Sequence, residues 1–347
     1  MRLPRPLAAA VLAGASLLVL AGCSAASAPA ASSSTGASAS DGTTYPIRIK
    51  NAFGTAVIEK KPTRIATVAW SNQEVPLALG VVPVGMPKVT FGDDDGDGVL
   101  PWVEDRLKAL GAKTPTLFDE TSGIDFEAVA DSRPDVILAA YSGLTKDDYE
   151  TLSKIAPVVA YPDTPWTTSL DDMIELDSEG MGMKAQGEAL IARLDREVAA
   201  AAAAQPSIKG KSVAFVSPKG PTDLSSLYVY TTHDPRAAFF EQLGMTTPDV
   251  VKTATAASKD SFYTEISAED ADRLDDVDVL VLYGTASTLK AMQADPVLGR
   301  IPAVKRGSVV VLGADGPLAA SANPSPLSIG WGIDDYVKAL AAAVRKA

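Results

Sequence analysis

The clearest metal-binding pattern in the sequence is a short acidic run near residue 95. Asp93, Asp95 and Asp97 stand at alternate positions, a glycine follows, and Glu104 occupies the twelfth position of the pattern. Calcium takes six to eight oxygen ligands, and this spacing of carboxylates is typical of calcium loops. The segment before the run does not have the pattern of a helix, whereas a helix can begin at Pro101. The sequence therefore predicts a structural calcium loop, with an acidic surface loop as the alternative.

The only histidine of the chain is His233. Protein sites dedicated to zinc or manganese use several such side chains, so the sequence excludes a histidine cluster for either metal. The nucleophile motif G-x-S-x-G and the nucleotide loop G-x-x-x-x-G-K-[ST] are both absent. We therefore expect a protein without catalytic residues or a catalytic cofactor. The alternative from another class is an extracytoplasmic hydrolase that uses His233 beside Asp234.

The start of the chain has the pattern of an export signal that ends at the only cysteine. A basic segment, Met1–Pro6, precedes an apolar segment, Leu7–Leu20, which is too short for a membrane-spanning helix. Ala21, Gly22 and Cys23 then resemble the lipobox of bacterial lipoproteins. That resemblance implies cleavage after residue 22 and acylation of the Cys23 sulfur by palmitate. An ordinary secretory signal with an incidental cysteine is the alternative.

Composition limits the classes of partner that the exported chain can have. With 43 acidic and 31 basic residues the formal net charge is −12, so nucleic acid is excluded as a partner. A chain with one cysteine cannot form an internal disulfide. Residues 23–44 are rich in Ser and Ala and offer nothing to bury, which indicates a flexible tether. The remainder, from about Tyr45, is long enough for two lobes with separate cores.

Short apolar runs alternate with helix-length intervals along the rest of the chain, which is typical of an α/β fold. The predicted buried strands are Ile65–Trp70, Val136–Tyr141, Val158–Tyr161, Val213–Ser217, Val279–Tyr283 and Val309–Leu312. Residues 169–205 contain no such run, and we expect them to be helical throughout, with one long helix over Met183–Ala204. This helix would connect an N-terminal lobe, residues 45–168, to a C-terminal lobe, residues 206–347. The alternative is a peripheral helix of one larger domain.

Several segments, in this order, resemble the substrate-binding proteins of ABC importers for ferric siderophores and cobalamin. They are Lys61–Ala66, Pro83–Gly85, Asp125–Ala130 with Arg133–Ile137, Phe240–Gly244, and Ile301–Lys305 before Gly307. The resemblance covers nearly all of residues 45–347, with the binding domain itself at about residues 64–347. It implies two Rossmann-like lobes joined by a single long α-helix, with the ligand between the lobes at the carboxyl ends of the strands. The connecting helix would limit closure of the lobes to a few degrees.

The resemblance also indicates where the ligand contacts the protein. An iron chelate with apolar or aromatic arms suits a cleft lined by aromatic side chains, methionine and one or two cations. The candidates at predicted strand ends and in the following loops are Trp70, Met86, Tyr141, Trp166, Tyr230 (or Tyr228), Arg236 and Tyr283. Arg236 could instead form a surface ion pair with Asp234 or Glu241. Because no group of arginines is present, we expect a hydroxamate, a mixed-ligand or a less charged chelate rather than a tris-catecholate.

The family resemblance implies a role in iron transport. Glu127 and Glu241 match positions where relatives carry one exposed carboxylate on each lobe for docking to the permease. We therefore expect a monomeric lipoprotein at the extracytoplasmic face of the cell membrane that binds a ferric siderophore and delivers it to an ABC permease. Cobalamin and haem are the alternative ligands. Haem would need Met86 and His233 as its two axial ligands.

Overall fold

The computed structural model describes residues 43–220, 223–258 and 260–347. The predicted signal peptide, Cys23 and nearly all of the tether lie outside these residues. Within the described part of the chain, no helix has both the length and the apolar character needed to cross a bilayer.

The first lobe is built on a parallel sheet that follows an antiparallel hairpin. The hairpin consists of β1 (Ile47–Asn51) and β2 (Gly54–Ile58). The sheet strands are β3 (Ile65–Thr67), β4 (Gly85–Pro87), β5 (Thr116–Phe118), β6 (Val136–Ala139) and β7 (Val158–Ala160). They lie in the order β5-β4-β3-β6-β7, so the direction of winding changes between β3 and β6. The helices of this lobe are α1 (Glu74–Ala78), α2 (Pro101–Ala109), α3 (Phe126–Asp131) and α4 (Lys146–Leu152).

Two helices follow the first lobe where the sequence predicts one uninterrupted helical region. Helix α5 spans Leu170–Gly180 and α6 spans Lys184–Ala204. Between them Gly182 adopts a left-handed conformation, with φ of 70°, so residues 169–205 are not helical throughout. The long helix itself is confirmed, and its buried face presents Leu190, Leu194, Val198 and Ala201 at helical spacing.

The second lobe contains a mixed sheet. Its strands are β8 (Val213–Pro218), β9 (Ser226–Tyr230), β10 (Tyr263–Ser267), β11 (Val279–Leu282) and β12 (Val309–Val311). The order is β10-β9-β8-β11-β12, with β9 antiparallel to both neighbours and a change of winding between β8 and β11. The helices are α7 (Pro235–Gln242), α8 (Asp249–Ala257), α9 (Ala286–Ala294), α10 (Pro302–Arg306), α11 (Pro317–Ser321) and α12 (Ser328–Val344).

The α/β class and all six predicted strands are confirmed. Each of the six apolar runs contains a strand because its residues are β-branched or large and are buried on both faces of a sheet, as in Val136–Ala139. The hairpin strands β1 and β2 and the sheet strands β4, β5, β9 and β10 are not among the six predicted strands.

The segment around α11 returns from the second lobe to the first. Ala320 packs into a core cluster of the first lobe that includes Leu77 and Trp102. The backbone N–H of Gly92 donates to the carbonyl of Asp315 across 2.9 Å. The lobes are therefore in contact through this segment as well as being joined by α6.

The buried carboxylate of Glu74, in α1, binds the residues that follow α11, between α11 and α12. It accepts hydrogen bonds from the Ser325 hydroxyl, from the indole Nε1 of Trp102 at 2.8 Å and from the backbone N–H of Leu327 at 3.0 Å. Burial raises the pKa of Glu74 to about 7, although these three hydrogen bonds act to lower it. One carboxyl group thus ties the first lobe to the start of α12.

Candidate functional site

A cavity of about 300 Å³ lies between the two lobes and is lined mainly by aromatic side chains. Three of its residues lie within three positions of the ends of strands at which the winding of each sheet changes, where parallel sheets bind ligands. Trp70 follows β3, Tyr141 follows β6 and Tyr283 follows β11. The full lining is Trp70, Phe91, Tyr141, Trp166, Arg236, Phe262, Tyr283 and Asn323, which we call the aromatic pocket.

Five of the seven ligand residues proposed from the sequence meet in the aromatic pocket, namely Trp70, Tyr141, Trp166, Arg236 and Tyr283. Tyr230 is not among the lining residues, and its ring centroid lies 4.4 Å from the guanidinium carbon of Arg236.

Met86 is placed wrongly by the sequence interpretation. Its side chain is 1% exposed and packs in a core cluster of the first lobe rather than lining the aromatic pocket. The reason is that β4 continues to Pro87, so Met86 is an interior strand residue of a sheet that is covered on both faces. The side chain that enters the pocket after this strand is Phe91.

The aromatic rings of the pocket are packed against one another. Phe91 of the first lobe contacts Tyr283 of the second edge to face, with ring centroids 5.7 Å apart, and it lies 6.0 Å from Trp70. Tyr141 and Trp166 form a second edge-to-face pair at 5.4 Å. Such pairs hold the rings in fixed relative positions, so the pocket presents a preformed apolar surface.

Arg236 is the charged residue of the pocket lining, and Asp234 neutralises it. The guanidinium makes a bidentate pair, with Nε to Oδ1 at 2.8 Å and Nη2 to Oδ2 at 2.6 Å, while Nη1 lies 3.3 Å from the Tyr283 hydroxyl. The Asp234 side chain is wholly buried and that of Arg236 is 16% exposed. Burial acts to lower the pKa of Arg236, but the hydrogen bond and charge of Asp234 outweigh it and raise that pKa. Arg236 thus pairs with Asp234, but the pair is buried rather than at the surface, and Arg236 still lines the pocket.

The tyrosines around this pair remain protonated at physiological pH. Burial raises the pKa of Tyr230 to about 12 and also raises the pKa of Tyr141 and of Tyr283 above their ordinary value. Their hydroxyl groups can therefore act as neutral hydrogen-bond donors and acceptors. The Tyr141 hydroxyl already accepts from the amide nitrogen of Asn323 at 3.1 Å.

Trp166 is held in the pocket by an unusual backbone conformation and a close glycine. Its φ is 62°, in the left-handed region, and its backbone N–H donates to the carbonyl of Ser142 at 3.0 Å. The indole ring lies over Gly143, where a Cβ would stand 2.3 Å from the indole nitrogen. Only glycine at position 143 leaves room for this ring.

Sequence reasoning missed three lining residues, Phe91, Phe262 and Asn323. Phe262 precedes β10, a strand that was not predicted, and Asn323 enters through the returning α11 segment. Of these three, Phe91 could have been proposed from the sequence, because it is an aromatic residue shortly after the end of a strand.

The acidic run brings three of its four predicted calcium ligands together. Carboxylate oxygens of Asp93, Asp95 and Asp97 lie within 4.8 Å of one another. Burial acts to raise the pKa of Asp93, but backbone N–H groups, chiefly those of Gly98 and Gly96, lower it. Burial and then the charges of Asp97 and Asp95 raise the pKa of Glu104, which indicates that Glu104 faces the same cluster. Helix α2 begins at Pro101, as predicted, and calcium binding itself stays a prediction.

His233 lies in a separate cavity of about 150 Å³, lined also by Thr167, Ser169, Phe239 and Gln242 among others. Within the described chain its buried Nε2 has no hydrogen-bond partner. Because both carboxylate oxygens of Asp234 bond to Arg236, the pair required by the hydrolase alternative is not assembled. Met86 does not line this cavity, so the axial pair required for haem is not assembled either.

The two carboxylates proposed for docking are both exposed. Glu127 lies in the first turn of α3 in one lobe, and Glu241 lies in α7 of the other. Glu241 also accepts a hydrogen bond from the Thr247 hydroxyl at 2.7 Å.

These two lobes, with a pocket between the carboxyl ends of their strands, define a substrate-binding protein. The chain belongs to the periplasmic binding protein family, which matches over residues 65–315. It is similar to PiaA from Streptococcus pneumoniae TIGR4, solved in complex with ferrichrome, with 46% identity, a TM-score of 0.83, and coverage of 87% of this chain and 99% of that one.

Two curated relatives are more distant. One is the ferric enterobactin-binding periplasmic protein FepB of Escherichia coli O6:H1, which is 25% identical, covering 81% of this chain and 88% of FepB. The other is the probable siderophore-binding lipoprotein YfiY of Bacillus subtilis strain 168, which is 28% identical, covering 68% of this chain and 67% of YfiY.

Proposed function

We propose that the protein binds a ferric siderophore in the aromatic pocket outside the membrane and delivers it to the permease of an ABC importer. The observation that carries this proposal is the likeness, over nearly the whole folded chain, to PiaA with ferrichrome bound. A preformed pocket of aromatic rings between two lobes suits a bulky chelate with apolar faces. Iron is the cargo, and no chemical step on the siderophore is needed.

The charge of the pocket favours a hydroxamate siderophore. Three hydroxamate groups balance the charge of Fe³⁺, so their complex is neutral, whereas a tris-catecholate complex carries three negative charges. Arg236 could attract an anion, but its charge is already balanced by Asp234. A strongly anionic chelate would therefore lose its water shell without gaining an unpaired cation. The alternatives kept for testing are ferric enterobactin, cobalamin and haem.

A tryptophan-fluorescence titration tests the ligand, because Trp70 and Trp166 both line the pocket. We expect saturable quenching by ferrichrome at micromolar or lower concentration and weaker binding of ferric enterobactin. Tighter binding of cobalamin or haem than of ferrichrome would contradict the proposal. The Asp234→Asn variant sharpens the test, since it leaves the Arg236 charge unpaired and is expected to raise the affinity for ferric enterobactin relative to ferrichrome.

For delivery, we propose that Glu127 and Glu241 orient the loaded protein on basic surfaces of the permease. One exposed acid on each lobe gives orientation at encounter through electrostatic attraction. The Glu127→Lys and Glu241→Lys variants are expected to bind ferrichrome as the wild type does and to lower cellular uptake of labelled iron. Glu59→Lys, on an exposed residue outside both helices, is the matched control.

For location, we propose that Cys23 carries a lipid anchor and that the protein acts as a monomer at the extracytoplasmic face. Labelling with palmitate is expected for the wild type and not for Cys23→Ser, which should leave the membrane fraction. Retention of the Cys23→Ser variant in the membrane would show that another segment anchors the chain.

A further inference from the structure

The backbone that carries Trp70 is held in a conformation that its residues disfavour. Ala69 and Ser71, on either side of Trp70, have φ values of 62° and 64°, in the left-handed region that favours glycine. This conformation is unfavourable for a residue with a Cβ, and two such residues around one side chain need other contacts to maintain them.

Two side chains supply those contacts. The carboxylate of Glu120, which follows β5, accepts from the backbone N–H of Ala69, at 3.0 Å to one oxygen and 3.3 Å to the other. The amide nitrogen of Asn72 donates to the carbonyls of Trp70 and Tyr141 at 3.2 and 2.9 Å, while its Oδ1 accepts from the Tyr141 backbone at 3.0 Å. Asn72 thus ties two pocket loops together, and Glu120 fixes the start of the first.

The strain is not explained by the indole's own hydrogen bonding. Within the described residues the buried Nε1 of Trp70 has no hydrogen-bond partner. The ring instead contacts Phe91 and lines the aromatic pocket. What the strained loop achieves is therefore the placement of the Trp70 ring at the surface that a ligand would meet.

We propose that Glu120, which does not itself line the pocket, is a positioning residue that sets the orientation of Trp70 for the ligand. This inference rests on the proposed function, since it assigns Glu120 a part in binding the same siderophore. Loss of the acceptor for the Ala69 N–H would let the loop leave the left-handed conformation, and the ring would no longer be held against Phe91.

The surroundings of Glu120 make the effect dependent on pH. Burial raises the pKa of Glu120 to about 7, and the hydrogen bond from Ala69 opposes this. Next to Glu120 in the chain is Asp119, whose carboxylate accepts from the Thr121 hydroxyl and interacts with Lys88. The hydrogen bond from Ala69 lowers the pKa of Glu120 relative to the same buried carboxyl without that bond, so the bond is stronger when Glu120 is ionised. If Glu120 stays buried when the loop is released, the loop should be held more firmly at pH 8 than at pH 6.

The test compares Glu120→Ala with Glu120→Gln in the full chain, by ferrichrome titration at pH 6 and pH 8. We expect Glu120→Ala to bind about tenfold more weakly, as loss of one positioning hydrogen bond predicts, and Glu120→Gln to remain close to the wild type because its amide oxygen still accepts. The wild type should bind ferrichrome more tightly at pH 8 than at pH 6. Neither variant should show the change in affinity that comes from ionisation of Glu120. Glu59→Ala is the matched control.

A readout without ligand separates this inference from the proposed function. The near-ultraviolet circular dichroism of the free protein should differ between wild type and Glu120→Ala, and the difference should vanish in a Trp70→Phe background. An unchanged spectrum, or ferrichrome affinity equal to that of the wild type in Glu120→Ala, would overturn the positioning role. Failure of the wild type to bind ferrichrome would instead overturn the proposed function, while the spectral comparison still tests Glu120.

Discussion

The Asn323 amide nitrogen lies 3.1 Å from the Tyr141 hydroxyl oxygen, so one hydrogen bond joins the returning α11 segment to the first lobe within the wall of the aromatic pocket. Because burial raises the pKa of Tyr141, its hydroxyl keeps a proton. That hydroxyl can accept from Asn323 and still donate to an oxygen of a bound chelate.

Replacing Tyr141 with Phe should therefore weaken ferrichrome binding about tenfold, since both the donor and the partner of Asn323 are lost. Isothermal titration calorimetry measures the affinity, and Tyr263→Phe, at an exposed ring, is the control. An affinity equal to that of the wild type would show that the hydroxyl makes no contact with the ligand.

Glu74 should make the folded protein less stable as the pH rises. Its pKa is about 7 in the folded state against 4.5 as the ordinary value, so the native protein holds an extra proton in that interval. This contribution to the free energy of unfolding, about 3 kcal/mol in full, is present below pH 4.5 and is lost as the pH rises through 7.

The Glu74→Gln variant should lose this part of the pH dependence, because glutamine resembles the protonated carboxyl. Urea unfolding at pH 5 and pH 8 measures the difference in slope from the wild type, with exposed Glu127→Gln as the control. Parallel pH profiles for wild type and Glu74→Gln would rule out a raised pKa at this carboxyl.

A methyl group at position 143 should displace Trp166. The new Cβ would stand 2.3 Å from the indole nitrogen, so the ring must move out of the pocket wall. We expect Gly143→Ala to bind ferrichrome at least several-fold more weakly. Gly316→Ala, where no atom lies within 4 Å of the added carbon, should bind normally. Equal affinities of the two variants would show that Trp166 does not contact the ligand.

Met86 and Phe91 should respond in opposite ways to truncation. Met86→Ala is expected to cost about 3 kcal/mol of stability through the cavity it leaves, with ferrichrome affinity unchanged. Phe91→Ala should lower the affinity, because its ring lines the pocket. Thermal unfolding and titration of both variants measure the contrast, and a large loss of affinity in Met86→Ala would restore Met86 to the site.

Calcium should stabilise the acidic run between residues 93 and 104. Millimolar calcium is expected to raise the Tm of the wild type by about 3 °C, through binding to the folded state alone. Asp97→Asn should abolish the shift, whereas Asp94→Asn, outside the ligand pattern, should keep it. If the Tm shift persists in Asp97→Asn, the calcium that stabilises the protein does not bind at this acidic run.

The α/β class, the six buried strands and the long helix could be predicted because each rests on local periodicity. The hairpin strand Ile47–Asn51 alternates buried and exposed side chains over only five residues, and β5 and β10 are short edge strands with exposed positions. Such segments carry a weak pattern on their own and become strands through their neighbours.

The residues of the aromatic pocket also fall into two groups, those that the sequence could place and those that it could not. Trp70, Tyr141 and Tyr283 could be placed because each lies just past the end of a strand at a switch point, and parallel sheets bring such positions together. Asn323 could not be placed, since only the return of the α11 segment carries it to the pocket. Met86 was misplaced by the position of a strand end, which sequence fixes to within only a few residues.

The returning α11 segment makes the first lobe dependent on residues that are synthesised after the whole sheet of the second lobe. Ala320 completes an apolar core there, and Ser325 and Leu327 satisfy the carboxylate of Glu74. A nascent chain that ends before Gly313 would thus have a gap in its N-terminal half and an uncompensated buried acid. That half can therefore complete its core only after the second lobe has been synthesised, and the two halves should melt in one cooperative transition.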